Sequence, residues 1–60
     1  MKVKVKCIGS GKEEDPFRPD VRGISWRAVE YNPKEGWVII ELFNDKDYKK
    51  IKDKVLEIIE

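Results

Sequence analysis

Histidine, glutamine and threonine do not occur in this 60-residue chain, and cysteine occurs once, as Cys7. Each absence closes a line of chemistry. Without histidine there is no imidazole to serve as a general base or to ligate a metal. One cysteine cannot close an intramolecular disulfide or furnish a cysteine-rich zinc site. No apolar run is long enough to cross a bilayer. The opening Met1-Lys2-Val3-Lys4-Val5-Lys6 alternates, where a signal peptide would carry an apolar block. The expectation is a cytoplasmic protein with no membrane partner, no metal and no cofactor. Neither sign of charge dominates, with 13 Lys plus Arg against 12 Asp plus Glu. Net charge therefore gives no argument for a polyanionic partner. Asparagine occurs only twice beside abundant Lys and Glu, a bias that fits a thermophile source.

What remains is the composition of a folding chain. It is 40% hydrophobic and 42% charged, with two each of Trp, Tyr and Phe; a disordered segment would be poorer in aromatic and β-branched residues. Residues 1–60 are expected to form a single domain. A chain this short buries only about 60% of its unfolded surface, so its core is thin and each large apolar side chain matters.

Residues 2–8 alternate strictly, placing Lys2, Lys4 and Lys6 on one face and Val3, Val5 and Cys7 on the other. That period predicts a half-buried strand, ended by Gly9-Ser10-Gly11. A long connection follows, 9–23, with Pro16 and Pro19 stiffening it. Residues 24–31 read as a second strand, with Ile24, Trp26 and Ala28 on one face and Arg27, Val29 and Tyr31 on the other. Asn32-Pro33-Lys34-Glu35-Gly36 is a turn, and 37–43 a third strand, so the two runs form an antiparallel hairpin. The third strand is apolar on both faces, Val38, Ile40 and Leu42 on one and Trp37, Ile39 and Phe43 on the other. Something must cover both faces, or one is a contact surface.

The last segment is expected to be helical. Asn44 or Asp45 caps it, Asp47 lies in its first turn, and Tyr48, Ile51, Val55 and Ile58 recur at helical spacing. Lys49 is placed to pair with Asp45 and Asp53. The expected fold class is thus α+β: a three-stranded, mainly antiparallel sheet followed by one C-terminal helix (β-β-β-α), with a long loop between the first two strands. Whether the first strand pairs with the second or the third is open.

The motifs divide between chemistry and plain structure. Gly9-Ser10-Gly11-Lys12 is like the end of a phosphate loop, but that motif needs glycine where Lys6 stands and Ser or Thr where Glu13 stands. Glu13, Glu14, Asp15 and Asp20 match no calcium-loop spacing. Cys7 lacks an activating base and reads as a small core hydrophobe. Lys2, Lys4 and Lys6, extended by Arg27, Arg22 and Arg18 if the strands align and set beside an exposed Trp37 or Phe17, would suit nucleic acid. The same lysines also suit an edge strand guarded against aggregation. In Asp15-Pro16-Phe17-Arg18-Pro19-Asp20, two prolines bracket an aromatic and a guanidinium. Either the loop presents Phe17 and Arg18 to a partner, or it is a latch, with Phe17 packed on Trp26 or Trp37 and Arg18 paired with a carboxylate.

The run Gly9-Ser10-Gly11, then Asp15-Pro16-Phe17-Arg18-Pro19, then Ser25-Trp26 with Ala28, resembles small uncharacterised proteins of phage-like or prophage regions and of some prokaryotic genomes. Those proteins carry a similar Gly-x-Gly and Asp-Pro-Phe-Arg-Pro run near the N-terminus. The similarity covers about a third of the chain. It implies no activity, and it makes a mobile-element or virion setting thinkable.

Three readings follow. The foremost is a small non-enzymatic protein-interaction module, self-associating as a homodimer or docking on a protein through Phe17, Arg18, Trp37 and Ile39. The second is a nucleic-acid binder using Lys2, Lys4, Lys6 and Arg27. An enzyme is the least supported, since the chain offers no nucleophile-base pair.

Overall fold

The Lys-Val alternation at the start of the chain forms strand β1 (Lys2–Ile8), and most of the remaining structure is assembled along its two edges. Our computed structural model describes residues 1–60. Strand β4 (Trp37–Leu42) runs antiparallel along one edge, with Val3 opposite Ile40 and Val5 opposite Val38. Two strands share the other edge. The two-residue β2 (Arg18–Pro19) pairs with Ile8 and Cys7, and β5 (Val55–Ile58) pairs with the first half of β1, Val3 opposite Ile58 and Lys4 opposite Glu57. Strand β3 (Trp26–Asn32) completes the sheet outside β4. The hairpin read from the sequence is therefore present, and the first strand lies against the third of the expected strands.

The α+β class and the long C-terminal helix are corrected by this architecture. The domain is all-antiparallel and β-rich, with five strands and one short helical segment. That segment is one α-turn, α1 (Tyr48–Ile51), flanked by 3-10 turns at Asp45–Asp47 and Lys52–Lys54. Asn44 caps it, its Oδ1 accepting from the Lys46 N–H at 2.9 Å. Beyond Lys54 the chain turns extended. Helical spacing is ambiguous there, because Val55, Ile58 and Ile59 are β-branched and favour a pleated surface. A short helix is marginal in water, whereas β1 offers open backbone groups that must be paired. The strand satisfies them: Lys2 N–H donates to the Glu60 carbonyl at 2.9 Å, and Ile59 N–H to the Lys2 carbonyl at 2.8 Å.

The core is one cluster on one side of this sheet. Val3, Val5, Val38 and Ile40 are fully buried, Leu42 and Ile51 nearly so. Ile51 comes from the helical segment, while Val21, Ile24, Trp26 and Tyr48 pack around the margin. A β-bulge at Val29 breaks the register of β3: Ala28 faces Ile40, yet Glu30 faces Ile39 and Tyr31 faces Val38. One extra residue reverses the faces beyond it. Tyr31 consequently lies on the side of Ala28, not with Arg27 as the simple alternation predicts. No helix is long and apolar enough to cross a membrane.

Burial ranks the substitutions. Ile40→Ala should cost about 3 kcal/mol, since the fully buried side chain leaves a cavity in a thin core. Ile58→Ala, at a side chain 52% exposed, should cost about 1 kcal/mol. Urea unfolding followed by tryptophan fluorescence measures both, and equal losses would contradict the placement of β5.

Candidate functional site

Two regions hold the residues that the sequence marks out. The first is the connection 9–23, which is built around Asp15. Ser10 N–H donates to Asp15 Oδ2 at 3.1 Å and, together with Gly11 N–H, to the Asp15 carbonyl at 3.0 Å. Asp15 N–H donates to the Lys12 carbonyl at 3.0 Å. Arg18 Nη1 donates to Asp15 Oδ1 at 2.7 Å and to the Pro16 carbonyl at 2.9 Å. A short side chain that bonds nearby backbone is the usual organiser of a turn, and here it folds a tight excursion off the end of β1.

Two glycines are required for this. Gly9 and Gly11 hold φ of 105° and 85°, values that L side chains rarely adopt. A Cβ on Gly9 would collide with the Pro16 carbonyl, and one on Gly11 would stand 2.5 Å from Phe17 Cζ. The Phe17 ring thus lies against Gly11. It stays 40% exposed and outside the core cluster. Of the two tryptophans a latch would use, Trp26 packs on the core cluster, and Phe17 is not among the side chains packed there. Pro19 is the buried residue of this stretch, while Arg18 does take the expected carboxylate, Asp15.

The second region is the outer face of the sheet, where register places Lys2, Lys4, Lys6, Trp37, Ile39, Glu41 and Arg27 together. All of its cations but Lys6 are matched to glutamates: Lys2 to Glu60 at 3.0 Å, Lys4 to Glu57 at 3.4 Å, Arg27 to Glu41 at 2.6 Å. Lys4 Nζ also stands 4.7 Å from the centroid of the Trp37 ring, a cation–π arrangement. Trp37 and Ile39 are half-buried. Part of the cover that the apolar β4 demands on this side comes from Lys4, whose ammonium stands over Trp37. Phe43 lies past the end of β4 and is 66% exposed.

Cys7 is half-buried beside the core, its thiol directed to the Ile8 carbonyl at 3.9 Å. Asp47 is the one buried acid, 8% exposed. It accepts from the Ser25 N–H at 3.4 Å and pairs with Lys50 at 3.6 Å, so it ties the segment before β3 to the helical turn. The sequence reading gave Asp15 and Asp47 no such organising roles. For Asp15 a signal exists, a short acid flanked by a Gly-rich turn and a proline. For Asp47 there is none, since its partner Ser25 is distant in the chain.

Against known proteins, the chain matches no protein-family model, no curated protein and no solved structure. The geometry alone therefore carries the functional reading.

Asp15 also gives the loop a pH dependence. The Arg18 guanidinium hydrogen-bonded to it is the main cause that holds its carboxyl below the ordinary value; slight desolvation opposes this, and the Arg18 charge and the Ser10 bonds add to the lowering. A depressed acid stabilises the folded loop above the ordinary aspartate value of about 3.9 and loses that contribution as pH falls through the lowered one. The Ser10 and Gly11 amide resonances should accordingly titrate with a midpoint under about 3.9 and lose that step in Asp15→Asn. A midpoint at or above the ordinary value would contradict the clamp.

Proposed function

We propose that this chain is a small non-enzymatic interaction module that docks on a protein partner through the loop ending in Asp15-Pro16-Phe17-Arg18-Pro19. The observation that carries the reading is the state of Phe17: exposed, yet set against Gly11 on a backbone that Asp15 clamps and β2 fastens to β1. An aromatic anchor already held in place loses little entropy on binding, and aromatic residues dominate the energetics of interfaces. Arg18 orients the loop through Asp15 and offers the rest of its guanidinium to a partner. Two prolines limit the conformations that the free loop can visit. The lack of an imidazole and the placement of Cys7 against its neighbour's carbonyl favour binding over catalysis.

Trp37 and Ile39 contribute less to this reading than the sequence suggests, because both are half-buried and Lys4 already stands over Trp37. The nucleic-acid reading of the Lys2, Lys4, Lys6 and Arg27 face is likewise weakened. Three of its four cations already sit on glutamates, and a phosphate would have to displace those carboxylates.

The test is site-specific photocrosslinking of the intact chain in the cells that produce it. An azido-phenylalanine is placed at position 17 and, as a control, at position 34 in the hairpin turn. A discrete adduct is expected from position 17, absent from position 34, and lost when Asp15→Ala is added. An adduct of twice the chain's mass would identify the partner as a second copy. No adduct at position 17, or the same adducts from both positions, would count against the loop.

A further inference from the structure

The unpaired charge of this protein is not spread evenly. Every exposed residue between Lys46 and Lys54 is a lysine except Asp53: Lys46, Lys49, Lys50, Lys52 and Lys54. The reason is local. Asp47, Tyr48 and Ile51 turn inward, and the positions left on the solvent side of the turn are the lysines. Lys50 is held by Asp47 and Lys54 by Asp20, at 3.6 and 3.7 Å. Lys46, Lys49 and Lys52 have no carboxylate within 4 Å; the pairs of Lys49 with Asp45 and Asp53 expected from the sequence do not form, and Asp45 lies instead 3.8 Å from the N-terminal amine. Arg22 meets this segment at Lys50 and Lys54, lining with them, Asp20 and Asp53 a shallow depression of about 420 Å³, and it too has no carboxylate partner.

This surface thus holds four unpaired cations against one unpaired carboxylate, Asp53. Elsewhere the balance reverses, with Lys6, Lys12 and Lys34 set against Glu13, Glu14, Glu30 and Glu35. A chain of net charge +1 therefore presents one distinctly positive side, which its composition conceals. Segregated charge of this kind draws a polyanion to one side and orients it.

We infer that the lysine side of the helical segment, Lys46, Lys49 and Lys52 with Arg22, is a docking surface for the phosphodiester backbone of duplex nucleic acid. Duplex is favoured over single strand by what accompanies the cations. The exposed aromatic next to the segment, Phe43, lines a different depression with Asn44, Asp47 and Lys50, which includes none of Lys46, Lys49, Lys52 and Arg22. The free cations therefore have no platform for unstacked bases, contact is with phosphates, and their charge is densest along a duplex. The ten-residue segment is at least about 15 Å long at helical rise, enough to follow several phosphates of one strand. Binding is then independent of sequence and set by counterion release. The surface takes Arg22 from the end of the 9–23 connection and borders its Asp20, but it includes neither Phe17 nor Lys2, Lys4 or Lys6, and it does not rest on the proposed docking role of the Phe17 loop.

The experiment is a salt-dependent titration of the full chain with a fluorescent 20-base-pair DNA duplex, followed by anisotropy. With four free cations, the slope of log K against log salt should approach about −3.6 and no more. The double variant Lys49→Glu/Lys52→Glu should weaken binding at least tenfold at low salt and flatten the slope by about 2 units. Lys6→Glu, at an unpaired lysine of the sheet face, and Phe17→Ala should leave both values unchanged. Circular dichroism melts check that each variant is folded. Failure to bind at low salt would overturn the proposal. So would a loss in Lys6→Glu equal to that in the double variant, or polyglutamate binding as tightly as the duplex.

Discussion

Strand β1 is hydrogen-bonded along both edges, and this constraint organises the rest of the molecule. A strand with two partners has Val3 and Val5 completely buried on one face, with Ile40 and Val38 opposite them. It leaves Lys2, Lys4 and Lys6 on the other. Because β4 takes the whole of one edge, the second edge must be closed by whatever chain is available. The C-terminal residues close its first half and the two residues Arg18–Pro19 its last. In a domain of this size no element is stable alone, so the loop and the C-terminus hold their shapes by virtue of this one strand.

The two faces of the sheet are then treated differently. One receives Ile51, Ile24 and Val21 and becomes the core. The other carries the apolar Trp37 and Ile39 among cations whose charged ends meet Glu41, Glu57 and Glu60, with Lys4 over the Trp37 ring. Exposed ion pairs of this kind add little stability individually. Their larger effect is to settle which charges remain free. Matching the sheet's cations to glutamates removes them from contention for a partner. Three lysines of the helical segment, Lys46, Lys49 and Lys52, keep theirs, since the buried acid of that segment, Asp47, is already occupied by Lys50 and the Ser25 N–H.

The loop after β1 follows a different logic. It has almost no core of its own, with Pro19 its one buried side chain, and is held by polar bonds converging on Asp15 and by two glycines in conformations closed to other residues. Such a loop is stiff without being buried. It keeps an aromatic ring at the surface, and the same dependence on one carboxylate makes it sensitive to acid.

Much of this was legible in local pattern. The alternation of residues 2–8, the hairpin turn at 32–36 and the shared face of Val38, Ile40 and Leu42 follow from side-chain period and turn chemistry, which act between near neighbours; that this face and not that of Trp37 and Ile39 turns to the core does not. The pairing of Arg18 with a carboxylate was also foreseeable, given an acid three residues away. The bulge at Val29 was not, because its cause is the fit of β3 to β4 and not the order of residues in β3. Nor was the end of the chain: Tyr48, Ile51, Val55 and Ile58 satisfy a helical period, and only the open edge of β1 decided that residues after Lys54 extend. The separation of paired from free lysines had the same origin. The sequence by itself determined how many charges of each sign there are and which side chains alternate. Only the tertiary structure decided which of them meet, because an ion pair or a strand pairing joins residues far apart in the chain, and its partner is chosen by the competition for one free edge.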